Sequence, residues 1–171
     1  MTGRLTDMEL EVEDGNAPAG SGGKQLRRST LAVAAGFVLP LILSRSADIL
    51  LESTGVFPTV AQQRADGFDV LWMNILALFY RMAFGVLGGY VTAAVAPNRP
   101  ARHVHLLAII ATAVAVISNI AVATIPATAN VLPAWFAVAL VLIAYPSTWL
   151  GGRWYLRKVG NDGARQSDTN R

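Results

Sequence analysis

Cysteine is absent from this 171-residue chain. Disulfides, thiolate metal ligands and a cysteine nucleophile are thereby excluded, and the redox compartment stays open. Charge is scarce as well. Asp, Glu, Lys and Arg make up 15% of the residues, against roughly one quarter in a soluble domain. Histidine occurs twice, as His103 and His105 in "RHVH". Two positions apart on a helix, their rings do not face one another, and no acidic or thiol partner lies nearby. They read as interfacial histidines rather than as a metal site. P-loop, HExxH, GxSxG and glycine-rich dinucleotide patterns are all missing. Without a nucleophile and base to assemble, no catalytic residue, cofactor or metal is expected, and the expected role is non-enzymatic.

Apolar residues are what the chain has in excess: 53% of the sequence, with a positive mean hydropathy. A net charge of +3 and a pI near 9.7 would suit a nucleic-acid binder. The basic residues, however, sit at the edges of apolar segments rather than along one soluble face. They read as membrane-topology signals, and the expected partner is the lipid bilayer, not nucleic acid.

Residues 1–28 read as a disordered cytoplasmic tail. "DMELEVEDG" is acidic and "GNAPAGSGGK" is small and flexible, with too little apolar surface to offset the entropy of ordering. The first apolar run starts near residue 29, later than in a cleavable signal peptide, and is expected to be a retained helix. Four runs reach spanning length, at 29–51, 70–96, 104–125 and 133–151. A hydrocarbon core of about 30 Å needs roughly 20 helical residues. None of the runs alternates with period two, which argues against a barrel. The expected fold class is therefore all-α: a transmembrane four-helix bundle over 29–152, followed by a basic cytoplasmic C-terminal tail, 153–171.

The loop charges orient that bundle. Lys24, Arg27 and Arg28 precede the first run, Arg99 and Arg102 separate the second from the third, and Arg153, Arg157 and Lys158 follow the fourth. The 52–69 loop holds Glu52, Arg64, Asp66 and Asp69, and the 126–132 loop is uncharged. By the positive-inside rule both termini are expected to be cytoplasmic, and an even number of spans also places them on the same side. Trp72 and Trp135 fall at the expected outer ends, and Trp149, Trp154 and Tyr155 at the inner end. Pro40 and Pro146 lie inside spans, where each removes one backbone hydrogen bond and should bend the axis.

The polar residues within the spans are the candidate site. Arg81 has no acidic neighbour within ten positions along the chain. Counted at ~1.5 Å per residue, it lies about 27 Å from the level of Arg99, while Arg45 and Asp48 lie about 25 and 30 Å from Arg28. Arg45, Asp48 and Glu52 share one face of the first helix, so these four charges converge on the outer third of the membrane. An unpaired charge in the membrane is expensive, and even insertion scales assign roughly 2.5–3.5 kcal/mol to a central arginine. Three arrangements meet that cost. Arg45 pairs with Asp48 along one helix while Arg81 reaches lipid phosphates; or an Asp48–Arg81 bridge locks the first two helices; or the charges line a substrate or ion path. Gly85, Gly88 and Gly89 supply small surfaces for helix packing. Arg81, Gly85, Gly88 and Thr92 recur at helical spacing and should face Ala32, Ala35 and Gly36 of the first helix. Ser118 and Asn119 read as interhelical hydrogen-bonding groups.

In order, "SADILL", "GVFP", "YR", "VLGGYVTAAVAPNRPARH", "PAW" and "YPSTWLGG" resemble a group of small bacterial four-helix integral membrane proteins without an assigned function. The resemblance covers about residues 45–152, with Asp48, Tyr80, Arg81, Gly88, Gly89, Pro97 and His103 at the matching positions. It implies a bacterial cytoplasmic (inner) membrane location and carries no catalytic residue. The expected function is that of an accessory or structural membrane component, alone, as a homo-oligomer or with another membrane protein. The alternative is a small transporter or channel subunit with a charged site at Asp48 and Arg81.

Overall fold

The computed structural model describes residues 21–126 and 131–169, with 21–26, 163–165 and 167–169 described by backbone only. Residues 1–20, most of the expected N-terminal tail, lie outside the described residues, as do 127–130 of the uncharged loop. The described chain is helical, without strands: α1 (Ser21–Ser53), α2 (Val60–Asp66), α3 (Leu71–Val95), α4 (Pro100–Thr124) and α5 (Ala134–Thr169). Segments Arg27–Ser53, Leu71–Val95, Pro100–Thr124 and Ala134–Asp162 are long and apolar enough to cross a membrane. Even 25 residues rise about 37 Å, more than the hydrocarbon core requires.

Three boundaries differ from the sequence reading. α1 begins at Ser21 rather than 29, because Lys24–Arg28 are good helix formers that add turns to a helix already nucleated. Residues 21–28 are thus helix rather than tail. α5 likewise runs through residues 153–169, expected as a tail; "RWYLRK" has high helix propensity and no proline follows Pro146. The third difference is α2, inside what the sequence reading left as a loop. Thr59 caps it reciprocally: the Gln62 amide donates to Thr59 Oγ1 at 3.4 Å, and the Thr59 amide donates to Gln62 Oε1 at 2.8 Å. This is a capping box written as T-x-x-Q. Gly67, at φ 81°, closes the helix with its amide donating to Gln63 O at 3.0 Å, a conformation that favours glycine.

Burial is inverted relative to a water-soluble protein. Large aliphatic side chains face outward, with Leu142 68% and Ile117 65% exposed, while Ala32 and Ala108 are fully buried. Such an exterior is unfit for water but suits lipid, where close approach of small residues drives helix association. At the α2 end a separate aromatic cluster of Phe57, Phe68, Ala77 and Phe136 is buried. Phe57 and Phe68 meet edge to face at 5.2 Å, and the Phe68 amide donates to Val131 O at 2.7 Å, tying the two connections at this end.

α3 is the central element, packed against α1, α5 and, over less of its length, α4. Ala32 lies by Thr92 and Asp48 by Arg81, so α1 and α3 run in opposite directions. The small-residue face of α3 divides between two neighbours. Gly88 and Thr92 meet α1: Thr92 Oγ1 donates to Ala32 O at 3.3 Å, and a Cβ on Gly88 would strike Gly36 O. Pro40 cannot donate to that Gly36 carbonyl, which leaves it directed at Gly88. Gly85 and Gly89 instead face α5, where a Cβ would meet Ser147 Oγ and Thr148 O, respectively. Placing Gly85 against the first helix is thus corrected. At 3.6 residues per turn, Gly88 and Gly89 fall on opposite flanks of Gly85, about 60° and 40° away, enough to point at different helices. On the return side Gly151 abuts Val86 O, and Gly152 abuts Val104. Asn119 Nδ2 donates to Ala137 O at 3.1 Å between α4 and α5. Pro40 and Pro146 sit within continuous helices.

Candidate functional site

Four turns before the end of α3, Arg81 faces Asp48 near the end of α1. Arg81 Nη2 lies 3.0 Å from both Asp48 Oδ1 and Oδ2. Nη1 donates to Tyr80 Oη at 2.7 Å and to Ala77 O at 3.2 Å. The Tyr80 hydroxyl in turn donates to Asp48 Oδ1, and the guanidinium carbon sits 4.9 Å from the Tyr80 ring centroid. Tyrosine is therefore wedged between acid and base, accepting from one and donating to the other. The side chains of Arg81 and Asp48 are 27% and 16% exposed, so the pair is largely withdrawn from its surroundings. Asp48–Arg81 is the one ion pair among the described residues.

Of the four charges expected to converge, the structure joins two. Arg45 forms no ion pair with Asp48; the carboxylate is turned across to α3 instead. Arg45 and Glu52 line a cavity of about 360 Å³ at the α2 end, together with Arg64, Asp48, Arg81 and the aromatic cluster. A second cavity of about 340 Å³ lies nearer the middle of the helices, walled by apolar side chains such as Phe37, Leu107 and Ile143 with hydroxyls from Ser44, Ser118 and Ser147. Arg81 and Leu140 belong to both walls.

Tyr80 was absent from the residues picked out by charge and spacing; its signals were adjacency to Arg81 and its place in the "YR" of the resemblance. Replacing it with phenylalanine removes one hydroxyl that serves two charged groups, each such hydrogen bond being worth about 1.5–3 kcal/mol. Tyr80→Phe is expected to lower the unfolding free energy in mixed detergent micelles by about 2 kcal/mol. A loss near zero would mean that Asp48 and Arg81 hold their geometry unaided.

Asn74 was also missed. It is fully buried at the start of α3, where Nδ2 donates to Phe68 O at 2.9 Å and Val70 O at 3.2 Å. At the opposite end, His105 Nδ1 lies 2.8 Å from Tyr145 Oη, and His103 Nδ1 lies 3.4 Å from Arg99 O. The two histidines thus have separate partners. Among the described residues, no three His, Asp or Glu side chains gather as a metal ion would require.

Four helices long and apolar enough to cross a membrane, with large aliphatic side chains on the exterior, suggest the class: a multi-pass membrane protein. No family model, curated protein or solved structure matches the chain, so the reading of the site stands on its geometry.

Proposed function

We propose that the chain is a non-enzymatic accessory or structural protein of a bacterial cytoplasmic membrane, arranged as a four-helix bundle with both termini on the cytoplasmic side. The bacterial location follows the sequence resemblance given above. The observation that carries the functional reading is the self-contained Asp48–Tyr80–Arg81 clasp, whose charges are matched to one another between α1 and α3. Part-buried charge matched in this way suits holding two helices in register. Orientation rests on five basic groups at one end, Arg99, Arg102, Arg153, Arg157 and Lys158, against Arg64 with Glu52, Asp66 and Asp69 in the connection at the other. Its natural partners are the bilayer and a second copy or another membrane protein.

Because the chain has no cysteine, single introduced thiols give a topology test free of background. In intact cells, Gln62→Cys should react with a membrane-impermeant maleimide and Asn98→Cys should not. The reverse pattern would overturn the orientation. The second reading, a small transporter or channel subunit, is favoured by one observation: Arg81 lines cavities on either side of the clasp. It requires a flux in proteoliposomes driven by a pH gradient and abolished by Asp48→Asn. The structural reading expects protein-free and protein-containing vesicles to leak alike.

A further inference from the structure

We propose that the cleft between α1 and α4 binds one anionic lipid, its phosphate head between Arg45 and Arg64 and its hydrocarbon chain in the cavity below Arg81. The inference rests on the membrane placement proposed above and adds a ligand to it.

Charge complementarity selects the head. The α2-end cavity carries three guanidinium groups and two carboxylates in its wall. Arg81 and Asp48 are consumed in their own pair. What remains is Arg45 and Arg64 against Glu52, an excess of one positive charge. Neither of these arginines has a side-chain hydrogen bond or ion pair among the described residues, so both are free to donate. Guanidinium groups recognise phosphate oxygens through directed hydrogen bonds as well as charge.

The second cavity selects the tail. Apart from Arg81 its wall is uncharged, and aliphatic and aromatic carbons dominate it. It shares Arg81 and Leu140 as wall residues with the first cavity and lies on their side toward the middle of the helices. Head and chain sites therefore adjoin in the order a lipid presents them: charge at the boundary, hydrocarbon below.

Access is lateral. α1 packs against α4 less closely than α3 packs against α5 or α1, which makes the α1–α4 side a looser seam than those two. A chain sliding in from the bilayer exchanges one apolar surrounding for another, so affinity comes from the head. A water-soluble anion would gain the arginines but leave the inner cavity unfilled, and a zwitterionic lipid would bring its own cation toward them.

The test uses the full chain in a mild detergent micelle, with dioleoyl phosphatidylglycerol and dioleoyl phosphatidylcholine in equal amounts and bound lipid read by native mass spectrometry. One bound lipid is expected, with the glycerol headgroup favoured about fivefold, since an arginine near an anionic headgroup contributes about 1 kcal/mol. Arg45→Gln/Arg64→Gln should bring the ratio close to one, and each single substitution should give an intermediate value. Ala115→Phe, which intrudes on the inner cavity, should lower retention of both lipids. Glycerol 3-phosphate at millimolar concentration should not displace the bound lipid. Equal retention of both lipids by the parent would overturn the proposal. So would a preference that survives the double substitution, displacement by the free phosphate, or a protein dimer with an empty cleft. A thermal melt of the double variant matching the parent certifies that it is folded. The thiol-labelling pattern of Gln62→Cys tests the membrane placement separately, so failure of one reading is distinguishable from failure of the other.

Discussion

Asp48→Ala is expected to cost about 3 kcal/mol of unfolding free energy, measured by titration with a denaturing detergent in mixed micelles. The substitution leaves Arg81 charged, 27% exposed and facing only Tyr80 Oη and Ala77 O. Stranding one partner of a withdrawn ion pair costs about 3–5 kcal/mol, and reaching toward water or headgroups recovers part of it. The insertion cost of an unpaired arginine at the helix centre, roughly 2.5–3.5 kcal/mol, sets an upper figure of the same order. Arg81→Met should be comparably damaging for the converse reason, since it strands the carboxylate with one hydroxyl donor. The diagnostic outcome lies in the double variant. Asp48→Leu/Arg81→Met removes both charges and fills the volume, and so should recover to within about 1–2 kcal/mol of the parent. The residual deficit is the Tyr80 hydroxyl, which loses its acceptor. Strictly additive losses would show that the two residues act separately and that the clasp does not hold the helices together.

The second large effect concerns backbone contact rather than charge. Gly89→Leu is expected to destabilise by about 3 kcal/mol or more, because a Cβ at this position would overlap the backbone carbonyl of Thr148 and crowd Gly152 N. A carbonyl on a helix axis cannot rotate aside as a flexible side chain does, so α3 and α5 must separate. Separation forfeits the dispersion contacts along a seam that has no hydrophobic drive to compensate in lipid. Gly151→Leu meets the same obstruction from the other side, at Val86 O and Tyr90 N. Gly160 provides the control within one helix: nothing lies within 4 Å of its would-be Cβ. Gly160→Ala should be neutral or stabilise by up to about 1 kcal/mol through helix propensity. Equal effects at 89 and 160 would show that the α3–α5 seam is not closely packed.

The pattern of what was legible follows from how each signal is encoded. The four long helices were readable to within one to four residues at most of their ends, since a run of apolar side chains is a local property of the chain. Their charged extensions were not, because hydropathy ends where the lipid does, while a helix continues as long as its next residues tolerate it. Residues 21–28 and 153–169 belong to that second category. α2 was encoded by Thr59 and Gln62, but seven residues in a polar loop carry no periodicity to attract notice.

The candidate site divides in the same way. Depth counting brought Asp48 and Arg81 to one level, because axial rise is nearly constant along a helix. Rotation and neighbour identity are not contained in that count. Arg45 lies within one helical turn of Asp48, yet Asp48 turns to α3, where Tyr80 adds a second donor beside Arg81. Gly85 was assigned to the wrong neighbour for the same reason: a face of small residues names no partner, and one about 100° wide spans two helices.

By itself, then, the sequence determined that this chain is helical, that four of its segments suit a membrane, and that Asp48 and Arg81 lie at one level along their helices. Each of these depends on composition and rise along one helix at a time. Only the tertiary structure decided that Asp48 closes directly on Arg81 with Tyr80 bonded to both, that α3 divides its glycines between α1 and α5, and that Arg81 lines two cavities. Those depend on the rotation of each helix about its axis and the distance between axes. Both are fixed by interlocking contacts such as Gly89 with Thr148 and Gly88 with Gly36, in which residues far apart in the chain meet at backbone range.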